Sequence, residues 1–240
     1  MKKIPLFAIL LTLLIASCSK ERFGIKGEGP TVSETRQINN FNGVDLSVSA
    51  YVEIIKDSTF KVEINAQRNV LDIIETKIIN SNLEIGLKKH SLLRQHEPIK
   101  IKIYMPQVYH LDVSGSGKIE CKLPFQSDNM SLNISGSGEI QYIGQVKNNL
   151  NAEISGSGKM YLYSDAVCNQ TNISISGSGS IDAQTFKTNY SNVNISGSGS
   201  LKQEINTEIN GSISGSGNIY YWGNPKVNVS VSGSGRVKRM

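Results

Sequence analysis

The chain has 240 residues, 38% of them apolar and 19% charged, with 22 glycines and three cysteines. That length suits one large domain or two small ones, and the apolar content is too high for a disordered polyelectrolyte. The formal charge of +5, which falls to +3 without Lys2 and Lys3, comes from scattered basic residues, so nucleic acid is not an expected partner.

From the N-terminus, residues 1–17 read as a secretory signal peptide. Lys2 and Lys3 form its positive start, and Ile4 to Ile15 form an apolar stretch of 12 residues, too short to span a bilayer. The stretch runs into Ile15-Ala16-Ser17-Cys18, which is similar to a bacterial lipobox, with small residues before a cysteine that is diacylated and becomes the new N-terminus. Acyl chains on Cys18 would hold the protein to a membrane without spanning it; the competing reading is an ordinary cleavage site with an incidental cysteine. Residues 18–32, rich in glycine and charge, then read as a flexible tether.

Residues 33–110 alternate as strands do: Val44, Leu46, Val48; Val52, Ile54; Val62, Ile64; Leu83, Ile85, Leu87; and Ile99, Ile101, Ile103. Asn42-Gly43 and Asp57-Ser58 mark turns. Only Val70 to Ile79 allows a short helix, and Ile73-Ile74 with Ile78-Ile79 fits a strand as well. This part is expected to form irregular turns of a repeat fold or to cap its first layer.

Residues 111–240 are regular repeats. Fourteen of the glycines lie in seven Ser-Gly-Ser-Gly tetrapeptides starting at Ser114, Ser135, Ser155, Ser176, Ser196, Ser214 and Ser232. Spacings of 18 to 21 residues match one turn of a β-solenoid. Each copy is preceded by a β-branched residue (Val113, Ile134, Ile154, Ile175, Ile195, Ile213, Val231) and followed two residues later by an aliphatic one (Ile119, Ile140, Met160, Ile181, Leu201, Ile219, Val237). This parity places the glycines inward and the serines outward. It also disfavours a meander with the tetrapeptide at hairpin tips, where Val113 would face Lys118.

Four residues before five consecutive copies stand Asn151, Asn172, Asn192, Asn210 and Asn228, a predicted amide ladder. Lys118, Glu139 and Lys159 share an outward column, so neighbouring layers would pair opposite charges. Cys121 and Cys168 fall two layers apart, too far for a disulfide, and are expected to be packed thiols. With no linker between the halves, 33–240 is one domain: all-β, a parallel β-solenoid of about seven Ser-Gly-Ser-Gly-cornered turns with an irregular N-terminal part.

The lipobox at Cys18, the stretch from Phe41-x-x-Val44 through Leu83-Glu84-Ile85 to Met105-Pro106, and the serial corners from Ser114 to Gly235 resemble the putative autotransporter-adhesin "head GIN" domain lipoproteins of Bacteroidota. The resemblance covers essentially the whole mature chain. It implies a pectin-lyase-like β-helix, an adhesive role without catalytic residues, and an outer-membrane location facing the periplasm or the exterior.

The residues themselves offer little chemistry. The acids of the repeat half are dispersed; only Asp112 and Glu153 share a column, with Asn133 between them, and a solvated face explains them better than catalysis does. The serines lack a nucleophile elbow, and His90, His96 and His110 match no metal-ligand spacing. No metal, cofactor or catalytic residue is expected. Exposed rings serve sugar recognition, and Tyr161, Tyr220 and Trp222 have outward parity, so they are the candidate binding residues; covering a strand edge is their plainer role. The expected function is an adhesive or scaffolding envelope lipoprotein that contacts a host or matrix glycan or protein. The alternatives are a carbohydrate-active β-helix enzyme, a glycan-binding module or, from the serine columns, an ice or crystal binder. Arg236, Lys238 and Arg239 place positive charge on the last layer, which discourages open-ended stacking and is compatible with a closed homo-oligomer.

Overall fold

Strands with one apolar face must bury it, and this chain does so by coiling. The computed structural model describes residues 24–240; the signal peptide expected over 1–17 and the lipidation site Cys18 lie outside the described residues. In chain order the elements are β1 (Thr31–Arg36), β2 (Gly43–Leu46), β3 (Tyr51–Lys56), β4 (Lys61–Gln67), α1 (Arg68–Leu71), β5 (Ile74–Ile79), β6 (Asn82–Leu87), β7 (Lys100–Met105), β8 (His110–Gly115) and β9 (Lys118–Cys121). They continue with β10 (Phe125–Gly136), β11 (Glu139–Gly156), β12 (Lys159–Tyr163), β13 (Cys168–Gly177), β14 (Ser180–Gly197), β15 (Ser200–Gly215), β16 (Asn218–Trp222), β17 (Lys226–Gly233) and β18 (Arg236–Arg239).

Two parallel stacks meet at the tetrapeptides. Face A is built from β6, β2, β8, β10, the second half of β11, β13, the second halves of β14 and β15, and β17. Face B is built from β7, β3, β9, the first half of β11, β12, the first halves of β14 and β15, β16 and β18. Ser114, Ser135, Ser155, Ser176, Ser196, Ser214 and Ser232 lie in one column. The fold is therefore the parallel β-solenoid, with six turns between seven stacked corners. Register shifts at 127–129, 161–163 and 183–190 fall in the return segments and leave the corners aligned.

Each corner has two glycines with different jobs. The first adopts φ between +106° and +127°, a left-handed backbone that favours glycine. From the second corner on, a Cβ there would meet the carbonyl oxygen of the glycine one rung earlier, at 2.5 Å for Gly177 on Gly156. That carbonyl is occupied: Ser178 N–H donates to Gly156 O at 2.9 Å, and the same bond recurs from Ser137 to Ser216. The second glycine is the inward one. From Gly138 to Gly217, its Cβ would come within 2.4–2.5 Å of the branched side chain before the previous corner, as with Gly199 and Ile175. The expectation that both glycines point inward is corrected here: Gly117, Gly138, Gly158, Gly179, Gly199 and Gly217 are buried, whereas the first glycines are exposed or half-buried because positive φ breaks the strand alternation where the chain turns.

The interior is aliphatic, with Leu83, Val44, Leu111, Leu132, Ala152, Ile173 and Val193 in one buried column. Its polar groups are mostly paired. Ser191 Oγ donates to Gln203 Oε1 at 2.8 Å and Gln203 Nε2 donates to Thr171 Oγ1 at 3.2 Å, joining the two faces through the core. Cys121 and Cys168 are free and buried, and burial pushes the Cys121 thiol up to about 12.

The N-terminal part both adds turns and caps them. β6 with β7 forms the outermost rung and β2 with β3 the next, so the rung laid down first in the chain sits between the outermost rung and β8–β9. Antiparallel β5 covers β6, β4 covers β7, and β1 pairs with β4. Arg36 ties this cap together by donating to Ile74 O at 3.0 Å and Leu71 O at 3.3 Å. The segment 70–79 divides between the two readings of the sequence, α1 ending at Leu71 and β5 starting at Ile74. Of the tether expected over 18–32, the described residues are tied to the cap: Ile25 bridges Leu93, Gln67 Nε2 donates to Gly29 O at 2.9 Å, and β1 opens at Thr31.

The corners predict a contrast between two Gly→Ala variants. Gly115 has φ +106° with nothing within 4 Å of a new Cβ, whereas Gly177 has φ +118° and a carbonyl at 2.5 Å. Gly115→Ala should cost about 1–2 kcal/mol, from backbone strain alone. Gly177→Ala should cost clearly more, read as a larger fall in the urea midpoint of unfolding; equal losses would refute the stacked-corner account.

Candidate functional site

The alternation that buries one side of each strand exposes the other, so each face carries columns of outward side chains about 4.8 Å apart. Face B is charged. Lys102, Glu53, Glu120, Gln141, Tyr161, Asp182, Lys202, Tyr220 and Lys238 form one column. Lys100, Tyr51, Lys118, Glu139 and Lys159 form the next. The predicted opposite-charge pairing is present where Lys118 Nζ lies 2.8 Å from Glu139 Oε1. Tyr51 donates to Glu120 Oε2 at 2.5 Å, and Lys122 lies 2.8 Å from Glu120 and 3.4 Å from Glu53. The Lys122 contact holds Glu120 below the usual carboxylate range, and burial raises Tyr51.

The ring candidates from the sequence lie on face B. Tyr161 and Tyr220 share a column but stand three rungs apart, with Asp182 and Lys202 between them. Trp222 is the outward neighbour of Glu204, two residues along the strand from Tyr220. All three are half-buried, and the structure does not gather them into one recess.

Face A has the chemistry of amides and hydroxyls. Its columns are Asn129, Asn149, Gln170, Tyr190, Glu208; then Ser131, Asn151, Asn172, Asn192, Asn210, Asn228; then Asp112, Asn133, Glu153, Ser174, Asn194, Ser212; then the corner serines. The ladder forms from Asn172 Nδ2 to Asn151 Oδ1 and from Asn192 Nδ2 to Asn172 Oδ1, both at 2.9 Å, and from Asn228 Nδ2 to Asn210 Oδ1 at 3.0 Å. It is not continuous. Between Asn192 and Asn210, where the repeat shortens to 18 residues, the layers are joined instead by Ser212 Oγ donating to Asn194 Oδ1 at 3.0 Å.

This face is hollowed. A trough of about 510 Å³ runs over four rungs, lined by Ser131, Asn133, Asn151, Glu153, Asn172 and Asn194 among others. Beside it lies a cleft of about 790 Å³ that shares Ser131 and Asn151 and adds Tyr109, Gln126, Gln145 and Val167. Tyr109 and Tyr190 are each 41% exposed. The sequence reading missed both rings, because Tyr109 precedes the first tetrapeptide and Tyr190 stands where the aligned run begins, next to the register shift at 188–190.

The acid column is longer than the sequence suggested. Asp112 and Glu153 do flank Asn133, and Asp45 and Glu84 extend the line beyond Asp112 through the inserted rung. His110 Nε2 lies 3.1 Å from Asp45 Oδ1, a contact that raises the imidazole above 6.5. Burial raises Asp112, the Ser114 hydroxyl at 3.2 Å opposes this, and the Asp45 carboxylate adds to it. Among the described residues no group of three or more His, Cys, Asp and Glu is placed to hold a metal ion.

Residues 40–225 match the family described as "Putative auto-transporter adhesin, head GIN domain". The chain belongs to this family. Among solved structures it is similar to a putative adhesin from Bacteroides fragilis, with a TM-score of 0.81 and 21% identity over 90% of this chain and 100% of that one. A putative adhesin from Parabacteroides merdae aligns with a TM-score of 0.72 and 22% identity over 90% and 99%. A protein from Parabacteroides distasonis described as "Putative lipid binding protein" gives 0.74 and 22% over the same shares. At these identities the likeness shows a shared fold. Among curated proteins none matches the chain.

The His110–Asp45 contact predicts a pH dependence. Because the imidazole pKa is raised by folding, its contribution is complete below about pH 6.5 and is lost as pH rises through the folded value. Thermal unfolding between pH 5.5 and 8.5 should show a decline that His110→Gln removes, worth about 1 kcal/mol or less for a partly exposed pair. Identical slopes in both proteins would refute it.

Proposed function

We propose that this protein is a non-catalytic adhesive lipoprotein of the cell envelope, anchored through acyl chains on Cys18 and making contact through the outer face of its repeat half. The observation that carries this reading is face A, where rigidly stacked strands display the same amide and hydroxyl columns rung after rung. Such a surface offers many equivalent weak contacts on one body, which suits multivalent attachment. Membership of an adhesin-described family and the likeness to adhesin-described folds support it. A closed oligomer tethered by several anchors would multiply the contacts further.

A carbohydrate-active enzyme is the second reading, on the single observation that Asp112 and Glu153 share a column beside the trough. Asn133 separates them, and Asp112 spends its hydrogen bond on Ser114.

Two outcomes are expected. Cys18→Ala should move the protein from the membrane to the soluble fraction, and unchanged partitioning would reject the anchor. Cells expressing the full chain should adhere to immobilised matrix glycoproteins more than cells lacking it, while polysaccharides incubated with the protein stay uncut; turnover of any polysaccharide that Glu153→Gln abolishes would replace adhesion with catalysis.

A further inference from the structure

We infer that the trough and cleft of face A are a binding site for a neutral, extended glycan lying along the solenoid axis, with Tyr109 and Tyr190 as ring platforms. The inference rests on the adhesive reading above and names its ligand class. Four observations converge on it.

The first is shape. The trough crosses β10, β11, β13 and β14, and the cleft lies beside it, over residues that precede the trough wall in the same rungs, with Ser131 and Asn151 common to both. From the β10 rung to the β14 rung there are three strand spacings, so the trough is about 14 Å long, a length that holds a short run of sugars and not a single one. A concave surface of this kind also fails to match the flat front of an ice or mineral crystal.

The second is hydrogen-bonding capacity. Asn172 spends one N–H and its oxygen on neighbours, donating to Asn151 and accepting from Asn192. The second N–H of Asn172, the N–H groups of Asn151 and the oxygen of Asn192 have no hydrogen-bond partner among the described residues, and they line the trough with Ser131 and Ser174. A ladder that is already tied together is pre-organised, so a ligand need not bear the ordering of those side chains. Rows of donors and acceptors repeating at one rung suit a chain whose hydroxyls recur at every sugar.

The third is charge. The trough has one charged wall residue, Glu153, and the cleft has Asp128 and Lys147. One cation against two carboxylates gives an acidic polymer no attraction. Face B, by contrast, is dense in lysine and glutamate pairs. Nor does the lining suit an acyl chain, which would require an apolar wall.

The fourth is the rings. Tyr109 lines the cleft, and Tyr190 stands outward two residues along the strand from Asn192, beside Gln170. Both are well exposed, whereas Tyr161, Tyr220 and Trp222 on the other face are half-buried. Tyr109 in the cleft and Tyr190 beside the amide ladder in the β14 rung present apolar faces against which the C–H surface of a sugar can pack.

The experiment is binding of the detergent-solubilised full chain to an array of neutral and acidic glycans, followed by affinity electrophoresis in gels containing a neutral β-glucan, a galactomannan or polygalacturonate. Saturable binding to neutral glycans and none to polygalacturonate is expected. Tyr109→Ala combined with Tyr190→Ala should weaken it at least tenfold, and Asn133→Arg, which fills the trough, should abolish it. The Tyr161→Ala, Tyr220→Ala, Trp222→Ala triple variant should bind as the parent does. Thermal midpoints of all variants within a few degrees of the parent separate lost binding from lost folding.

Absence of binding to every neutral glycan overturns the inference, as does loss of binding in the face B variant alone. Adhesion to protein-only matrix without glycan binding would overturn the glycan site and leave the adhesive reading standing. Loss of both would remove both.

Discussion

The whole structure depends on backbone meeting backbone at the Ser-Gly-Ser-Gly corner. There the carbonyl of the first glycine in one rung accepts from the second serine of the next, as Gly156 does from Ser178. The contact is too close for a Cβ, and the φ is one that L side chains rarely adopt. Glycine at this position is therefore imposed twice, by conformation and by the distance to the neighbouring rung. The second glycine meets a separate requirement, since it lets the branched residue of the preceding rung fill the corner. Because adjacent corners can stack only in one alignment, they set the register for everything between them.

A fixed register converts sequence columns into chemical faces. Insertions of one to three residues between repeats are absorbed in the return segments, where the pairing shifts, and do not slip the strands. A slip of one residue would turn every apolar side chain outward. Held in alignment, the Asn column becomes a hydrogen-bonded ladder on face A and the Lys118–Glu139 column becomes an ion pair on face B. The contrast between an amide ladder on one face and stacked lysine–glutamate pairs on the other follows from register. It makes the two sides of the solenoid suited to different partners.

The repeat half was legible because its signals are local and periodic. The corner, the β-branched residue before it and the Asn column all recur at fixed offsets from the tetrapeptide. The N-terminal half was legible only as strands, since its order in space departs from its order in the chain: β2–β3 is covered by β6–β7, which comes later. No alternation pattern records such an exchange, and with it went the extension of the acid column to Asp45 and Glu84. The two rings of face A were hidden for a related reason. Tyr190 sits six residues before its tetrapeptide, at the limit of the constant offsets, and Tyr109 just ahead of the first of them, so only the folded chain shows that Tyr109 lines the cleft and Tyr190 stands beside the amide ladder. The recess itself is made by residues of four stacked rungs, which single-residue parity does not bring together.

The two ends of the stack solve the open-edge problem differently. At the first rung the edge strands β6 and β7 are covered by antiparallel β5 and β4, and the segment from Ile25 to Gly29 packs onto the same cap. At the last described rung, β18 carries Arg236, Lys238 and Arg239 in columns with Asn218, Tyr220 and Tyr221. A second copy brought end to end there would set these cations against their equivalents, which opposes strand addition while the sheet edge stays unpaired. The cap is also the end reached from the N-terminal side of the chain, so rungs are added in the direction leading away from it. Nine rungs make eight spacings, about 38 Å. A tether joined at the cap would therefore place the trough, which begins at the fourth rung, beyond the ordered base of the molecule, with the side of face A and not its tip turned toward a long ligand.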